Sequence, residues 1–263
     1  VPTSGFRVYR TEAIVLQRHD FGEADRLLTL YTPAMGKVRA IAKGARRTTS
    51  RMSGHIELFT HTELVMACGR NLDVVTQSQL IHSHERLRED LWRAALGFHV
   101  LELVNLFSEE RLDNIQVWHA LLDVLGRLDV GQSQEASPAA AELSVRYFEA
   151  RLLDYMGYRP ELRSCTRCQE CLEPVENFFH PPSGGLLCPG CAQGHSALLP
   201  LSVDAVKVLR VLQDGDYGLS SRLRLTSSLL REIDTTMRRH ISHVLERDLR
   251  TIHLVDELRT SGA

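Results

Sequence analysis

Gly36-Lys37-Val38-Arg39-Ala40-Ile41-Ala42-Lys43-Gly44-Ala45-Arg46-Arg47-Thr48-Thr49-Ser50-Arg51-Met52-Ser53 changes character halfway along. From Lys37 to Lys43 the residues alternate as a half-buried strand does. Lys37, Arg39 and Lys43 share one face with Ile41 between them, and Val38, Ala40 and Ala42 share the other. After Gly44 the stretch Ala45–Arg51 has no apolar period and reads as a basic loop. A strand that turns cations outward and then runs into a cationic loop suits a phosphate backbone. Spaced Lys and Arg neutralise successive phosphates and release condensed counterions. The competing reading is a solvated face with an incidental charge run.

Around this strand the chain reads as a small all-β module. Ala13–Leu16 is a short apolar run before polar Gln17–Asp20 and a Phe21-Gly22 turn, and Leu27–Tyr31 is a second run. Glu63–Cys68 and Leu72–Thr76 flank Gly69-Arg70-Asn71, a hairpin pattern. Five short strands without an intervening long helix favour a barrel over a βαβ unit. The expectation is a five-stranded OB-type barrel over residues 1–81; a small SH3-like barrel would read much the same.

Near His82 the period changes from 2 to 3.6. Leu87, Leu91, Ala94, Phe98 and Leu101 lie on one helical face, which Trp92, Leu96, Leu103 and Leu106 widen until the helix is apolar nearly all round. Ile115–Leu125 gives a second helix. Gly131–Ala136 reads as a loop, Ser137-Pro138 as an N-cap with proline at the first helical position, and Glu142–Met156 as a third helix. Ser202 can cap another. A last long helix starts near Ser227-Ser228, with Arg231, Arg238, Arg239, Arg247 and Arg250 among acidic residues on a solvated face. The fold class is therefore α+β in two parts, with an α-helical domain over 82–263 after the barrel.

Within that domain, at about 160–200, Cys165-x2-Cys168 and Cys188-x2-Cys191 are nineteen residues apart, the spacing of a four-cysteine zinc site. Each pair makes a tight knuckle that points two thiolates at one tetrahedral ion, and four thiolates leave no open position for water, so the zinc is structural. Gly184-Gly185 places a turn between Phe178-Phe179 and Leu186-Leu187. Cys171 forms a second C-x2-C with Cys168, so either Cys165 or Cys171 can complete the first knuckle; Cys165 is the preferred ligand. His180 and His195 read as packing or surface residues, and Cys68 as a small core residue.

The 263 residues carry a formal net charge of −2, which argues against a generic polycation. Yet residues 1–80 hold 11 Lys and Arg against 7 Asp and Glu, while residues 81–163 hold 9 against 14. A basic module on an acidic body fits a protein that meets an anionic polymer on one side. No P-loop, dinucleotide fingerprint, nucleophile elbow or H-E-x-x-H is present. Glu23 and Asp25 are the only close acidic pair of the first segment, too few for a two-metal nuclease. Phe21, Tyr31 and Phe59 are a thin set for stacking bases. No apolar run approaches a membrane span and Val1–Gly5 has no apolar export core, so the cytoplasm is expected.

Glu12–Leu16, Gly22–Leu30, Thr32 through Gly36-Lys37, and Ala42–Arg47 resemble, in that order, the N-terminal pattern of the RecO family of bacterial DNA repair and recombination mediators. A looser likeness follows in the helical region and in Gly184–Cys188. The resemblance implies an OB-fold, a helical domain and a knuckle pair between helices. It further implies binding of single- and double-stranded DNA, annealing of complementary strands, and joint action with RecR to load RecA onto strands coated by single-stranded DNA-binding protein. Carried over by position, Lys37, Arg39, Lys43, Arg46, Arg47 and Arg51 form the DNA-contacting set. Gln169 departs from the pattern, standing where glycine is expected after the first knuckle. The alternatives to a non-enzymatic mediator are a zinc-dependent DNA-processing enzyme such as a nuclease, and a basic scaffold that binds an acidic protein.

Overall fold

The computed structural model describes residues 8–130 and 137–260. The expectations for Val1–Gly5 and for the Gly131–Ala136 loop lie outside the described residues. Packing separates two compact units, one holding 8–130 and 253–260, the other 137–252. The change from strand to helix comes at 82–85, close to the expected boundary, but the first helices pack with the barrel rather than with the helices that follow.

The first unit contains β1 (Val8–Phe21), β2 (Asp25–Thr32), β3 (Gly36–Ala42), β4 (His61–Ala67) and β5 (Asp73–His82). They close into a barrel in the order β1-β2-β3-β5-β4, antiparallel except where Ala40 and Ile41 of β3 pair with Asp73 and Val74 of β5. This is the five-stranded OB-type connectivity. The alternation read from β3 decides which face is which: Val38, Ala40 and Ala42 turn inward to meet Ala13, Val15, Leu28, Leu30, Leu64, Met66 and Val75.

β1 is longer than its apolar run suggests. Its first half pairs with β4 and its second half with β2, and a register shift between Val15 and Gln17 turns the strand around the barrel corner. Gln17–Phe21 extends as a two-stranded ribbon with β2, where polar side chains need no burial, so hydropathy alone misses it. Of the three candidate stacking rings, Tyr31 and Phe59 are buried in the unit and only Phe21 is exposed.

The helices are α1 (Glu85–Glu89), α2 (Leu91–Phe107), α3 (Ile115–Leu128), α4 (Pro138–Tyr155), α5 (Pro189–Ala192), α6 (Val203–Asp214), α7 (Tyr217–Ser220), α8 (Ser227–Leu245) and α9 (Thr251–Thr260). The single helix expected from about His82 is broken at Asp90, whose carboxylate accepts the Arg93 backbone N–H at 3.0 Å and restarts the helix as α2. Gly97 on α2 lies against the Phe59 ring, where an added Cβ would come within 2.9 Å of the ring edge. The expected last helix ends at Leu245; Glu246 takes a left-handed conformation and α9 follows as a separate helix. Cys68 lies just past β4 and is partly exposed, because the strand stops at Ala67.

In the second unit α4, α6 and α8 pack together, and β6 (Asn177–His180), β7 (Gly185–Leu187) and β8 (Leu199–Leu201) form a small sheet in the order β7-β6-β8. Ser137 and Ser202 cap α4 and α6 through 3.2 Å bonds to the Ala140 and Ala205 N–H groups, as their sequence positions suggest. A charged cluster sits inside this unit. Arg146 Nη1 lies 2.8 Å from Glu149 Oε2 and 2.8 Å from Asp234 Oδ1, and Asp234 Oδ1 also accepts from Arg238 Nε. Arg146 is 2% exposed and Glu149 is 0% exposed. Removing one partner of such a group strands the others away from water. Arg146→Ala is expected to cost about 3–5 kcal/mol, read as a lower denaturant midpoint for the second unit.

Candidate nucleic-acid interface and metal centre

The outer face of β3 carries Lys37, Arg39 and, just past its end, Lys43, while turns over 43–50 carry Arg46 and Arg47. The structure sorts the six expected DNA-contacting cations into two groups. Lys37 is half-buried and its Nζ donates to the Asn105 carbonyl at 2.7 Å. Burial pulls its pKa below the ordinary lysine range, against the charges of Glu110 and Glu109 that hold it up. Arg39 is exposed, with its Nε 3.8 Å from Glu110, a long surface pair worth little. Arg46 is tethered to the β1–β2 turn through Asp20 at 3.3 Å and the Gly22 carbonyl.

Lys43, Arg47 and Arg51 are exposed and, among the described residues, make no side-chain hydrogen bond or ion pair. The free positive charge therefore lies at the Lys43 end of the row and in the segment after it. Three acidic residues close to this surface have structural partners: Asp25 accepts from the Gly44 N–H, Glu57 pairs with Arg18 and Arg26, and Asp20 with Arg26 and Arg46.

Cys165, Cys168, Cys188 and Cys191 come together, with all four sulfurs within 4.8 Å of one another, and among the described residues they form the one such group. Cys171 stays outside; its backbone bridges to Ser164 and its side chain is exposed. In the first knuckle the Gln169 N–H donates to the Cys165 carbonyl at 2.9 Å, and Gln169 takes the left-handed conformation (φ 63°) that glycine adopts more readily. Its side-chain amide donates to the Thr166 carbonyl at 3.1 Å and closes the turn in glycine's absence. In the second knuckle Pro189 opens α5, and the Cys191 and Ala192 N–H groups both donate to the Cys188 carbonyl at 3.0 Å.

The β6–β7 hairpin joins the knuckles as expected. Gly185 is needed there because an added Cβ would lie 2.4 Å from the Glu161 carbonyl oxygen. His180 donates to or accepts from Ser183 Oγ at 2.7 Å and stacks edge-on with His195, so neither joins the sulfurs. His84 is buried against the Phe59 carbonyl, and desolvation lowers its pKa to about 4.

The donor set suits a soft divalent cation. Burial opposes a thiolate at Cys165, yet the N–H groups of Cys168, Cys188 and Arg167 bring its pKa down to about 6. Cys191 is pushed up to about 12, first by its hydrogen bond with Cys188 and then by desolvation and the neighbouring thiols. Four sulfurs this close cannot all ionise unaided. A cation bound by the four sulfurs would remove that conflict and hold both knuckles.

A closed five-stranded barrel with a cationic outer strand, and a helical unit holding a four-thiol centre, define a two-module barrel-plus-helix class of protein. Profiles described as recombination protein O N terminal and recombination protein O C terminal match residues 6–84 and 88–252, their division falling close to the change from β5 to α1. The chain belongs to the recombination protein O family. It is similar to the DNA repair protein RecO of Roseiflexus sp. (strain RS-1), 44% identical over 96% of this chain and 87% of the relative. The DNA repair protein RecO of Dehalococcoides mccartyi (strain ATCC BAA-2266 / KCTC 15142 / 195) is 39% identical over 95% of this chain and 96% of its own length. That of Symbiobacterium thermophilum (strain DSM 24528 / JCM 14929 / IAM 14863 / T) is 33% identical over 97% of this chain and 99% of its own. No described helix is long and apolar enough to cross a membrane.

Proposed function

We propose that this chain is a non-enzymatic DNA-binding mediator of recombination and repair in the cytoplasm. In this reading it binds single- and double-stranded DNA and anneals complementary strands. With RecR it helps load RecA onto single strands coated by single-stranded DNA-binding protein. The supporting observation is the set of exposed cations at Lys43, Arg47 and Arg51 beside the barrel, whose side chains make no hydrogen bond or ion pair among the described residues. The relatives' names, DNA repair protein RecO, support the same assignment. Zinc is the cation that fits the four-thiol set, and its part is to hold the insert folded.

With Lys43, Arg47 and Arg51, and Arg46 released from its exposed pair with Asp20, about four phosphates are engaged. A plot of log K against log salt on single strands then has a slope of about −3 and little sequence dependence. Fluorescence anisotropy on labelled oligonucleotides reads it, and a parallel assay measures annealing of complementary strands. Salt-independent binding, or none, would remove the phosphate contacts from the account. Cleavage products that follow the purified protein would favour a nuclease instead.

A further inference from the structure

The connection between α2 and α3 lies across the Lys37 end of β3. Glu110 forms a parallel backbone bridge with Lys37, and the Arg111 N–H donates to the Lys37 carbonyl at 2.9 Å. Lys37 Nζ reaches back to Asn105, and Arg39 faces Glu110. The strap is locked in place. Arg111 takes a left-handed conformation (φ 60°) and its Nη2 donates to both oxygens of Asp73 at 2.9 Å. Asp73 is fully buried and also accepts from Tyr9 Oη at 2.5 Å and the Gly69 N–H at 3.0 Å. Gly36 makes room for the strap, since a Cβ there would lie 1.9 Å from the Leu112 carbonyl oxygen. So anchored, the strap holds Glu109, Glu110 and Asp113 exposed to solvent at one end of the cationic row.

We propose that this strap is an anionic end-stop: Glu109 and Glu110 exclude a phosphate backbone from the Lys37 end of β3 and confine it to Lys43 and the segment up to Arg51. The inference rests on the DNA-binding reading above. The carboxylates repel incoming phosphates and cancel the charge of Arg39, so they shorten the footprint and hold affinity down. Because the Arg39–Glu110 pair is long and exposed, its role is charge cancellation rather than stability.

The test is Glu109→Gln with Glu110→Gln, titrated against oligothymidylates of graded length at several salt concentrations. About three- to tenfold tighter binding at low salt is expected, with a slope steeper by about 0.7 for each phosphate gained and a longer minimal oligonucleotide for full affinity. Glu173→Gln with Glu176→Gln makes the same charge change in the other unit and should leave binding near wild type. Adding Arg39→Gln to the first variant should remove most of its gain. If the wild type binds and the strap variant matches it or the control, the end-stop is overturned while the DNA reading stands. If the wild type binds no oligonucleotide, the DNA reading falls and takes the end-stop with it. Both glutamates are exposed; should the double variant melt early, Glu110→Gln alone carries the same comparison, and its failure to tighten binding overturns the proposal.

Discussion

Replacing Cys165 and Cys188 with serine is expected to release one bound metal per chain and unfold the segment between about 160 and 200. Together the two substitutions remove one ligand from each knuckle, so neither half of the centre survives. Leu162 and Phe179 pack with the helices of the unit, but the knuckles themselves have little besides the metal to hold them. Their apolar cluster is Cys165, Leu187 and Ala192, with Leu172, Phe178 and Leu198 partly buried around them. Structural zinc contributes on the order of 10 kcal/mol in small domains of this kind, more than such a cluster supplies. Metal content after gel filtration, with thermal unfolding beside it, reads the outcome. Cys171→Ser is the informative control, since its backbone meets Ser164 and its sulfur lies outside the group. It should keep the metal and the melting temperature. A Cys171 variant that lost the metal, beside a Cys165 variant that kept it, would exchange the two ligands.

Much of this centre was legible in the sequence, because ligand spacing is a local property. Two C-x2-C pairs fix two turns whatever surrounds them. The choice between Cys165 and Cys171 was not, because both spacings fit and only the folded hairpin brings Cys165 against the Cys188 N–H at 3.4 Å. The barrel was legible for the same local reason: period-two alternation in β3 separates an inner face from an outer one. What alternation cannot show is what comes to lie on the outer face. Lys37 reads as a free cation, yet a segment some seventy residues later covers it, held by Arg111 on a buried Asp73. No window around Lys37 contains that information. Asp234 reads as a solvated charge on α8 for a similar reason. Its partner Arg146 lies on another helix, and both are buried only because α4 and α8 pack. Long-range charge pairing was thus the illegible part, and it redistributes the expected interface.

That redistribution separates the effects of two substitutions that a reading of the strand alone would treat alike. Lys43→Glu with Arg47→Glu should weaken single-strand binding by about 10²–10³-fold at low salt and flatten the salt slope from about −3 to about −1.5. The reason is location. Both side chains are exposed and make no side-chain hydrogen bond or ion pair among the described residues, so their charge is available to phosphate and their loss leaves nothing stranded. The fold should be untouched, with melting within about a degree or two of wild type, as for surface changes away from packed features. Lys37→Ala should behave in the opposite way. Its ammonium is committed to the Asn105 carbonyl near the end of α2, so removing it leaves that acceptor without its partner and loosens the strap. A loss of about 1 kcal/mol in stability is expected there, with DNA affinity changed severalfold at most. Anisotropy and thermal melts on the two variants, side by side, decide the matter. If Lys37→Ala abolishes binding while Lys43→Glu with Arg47→Glu spares it, the phosphate path runs over the strap end of β3, and the free cations after Ala42 are a solvated face.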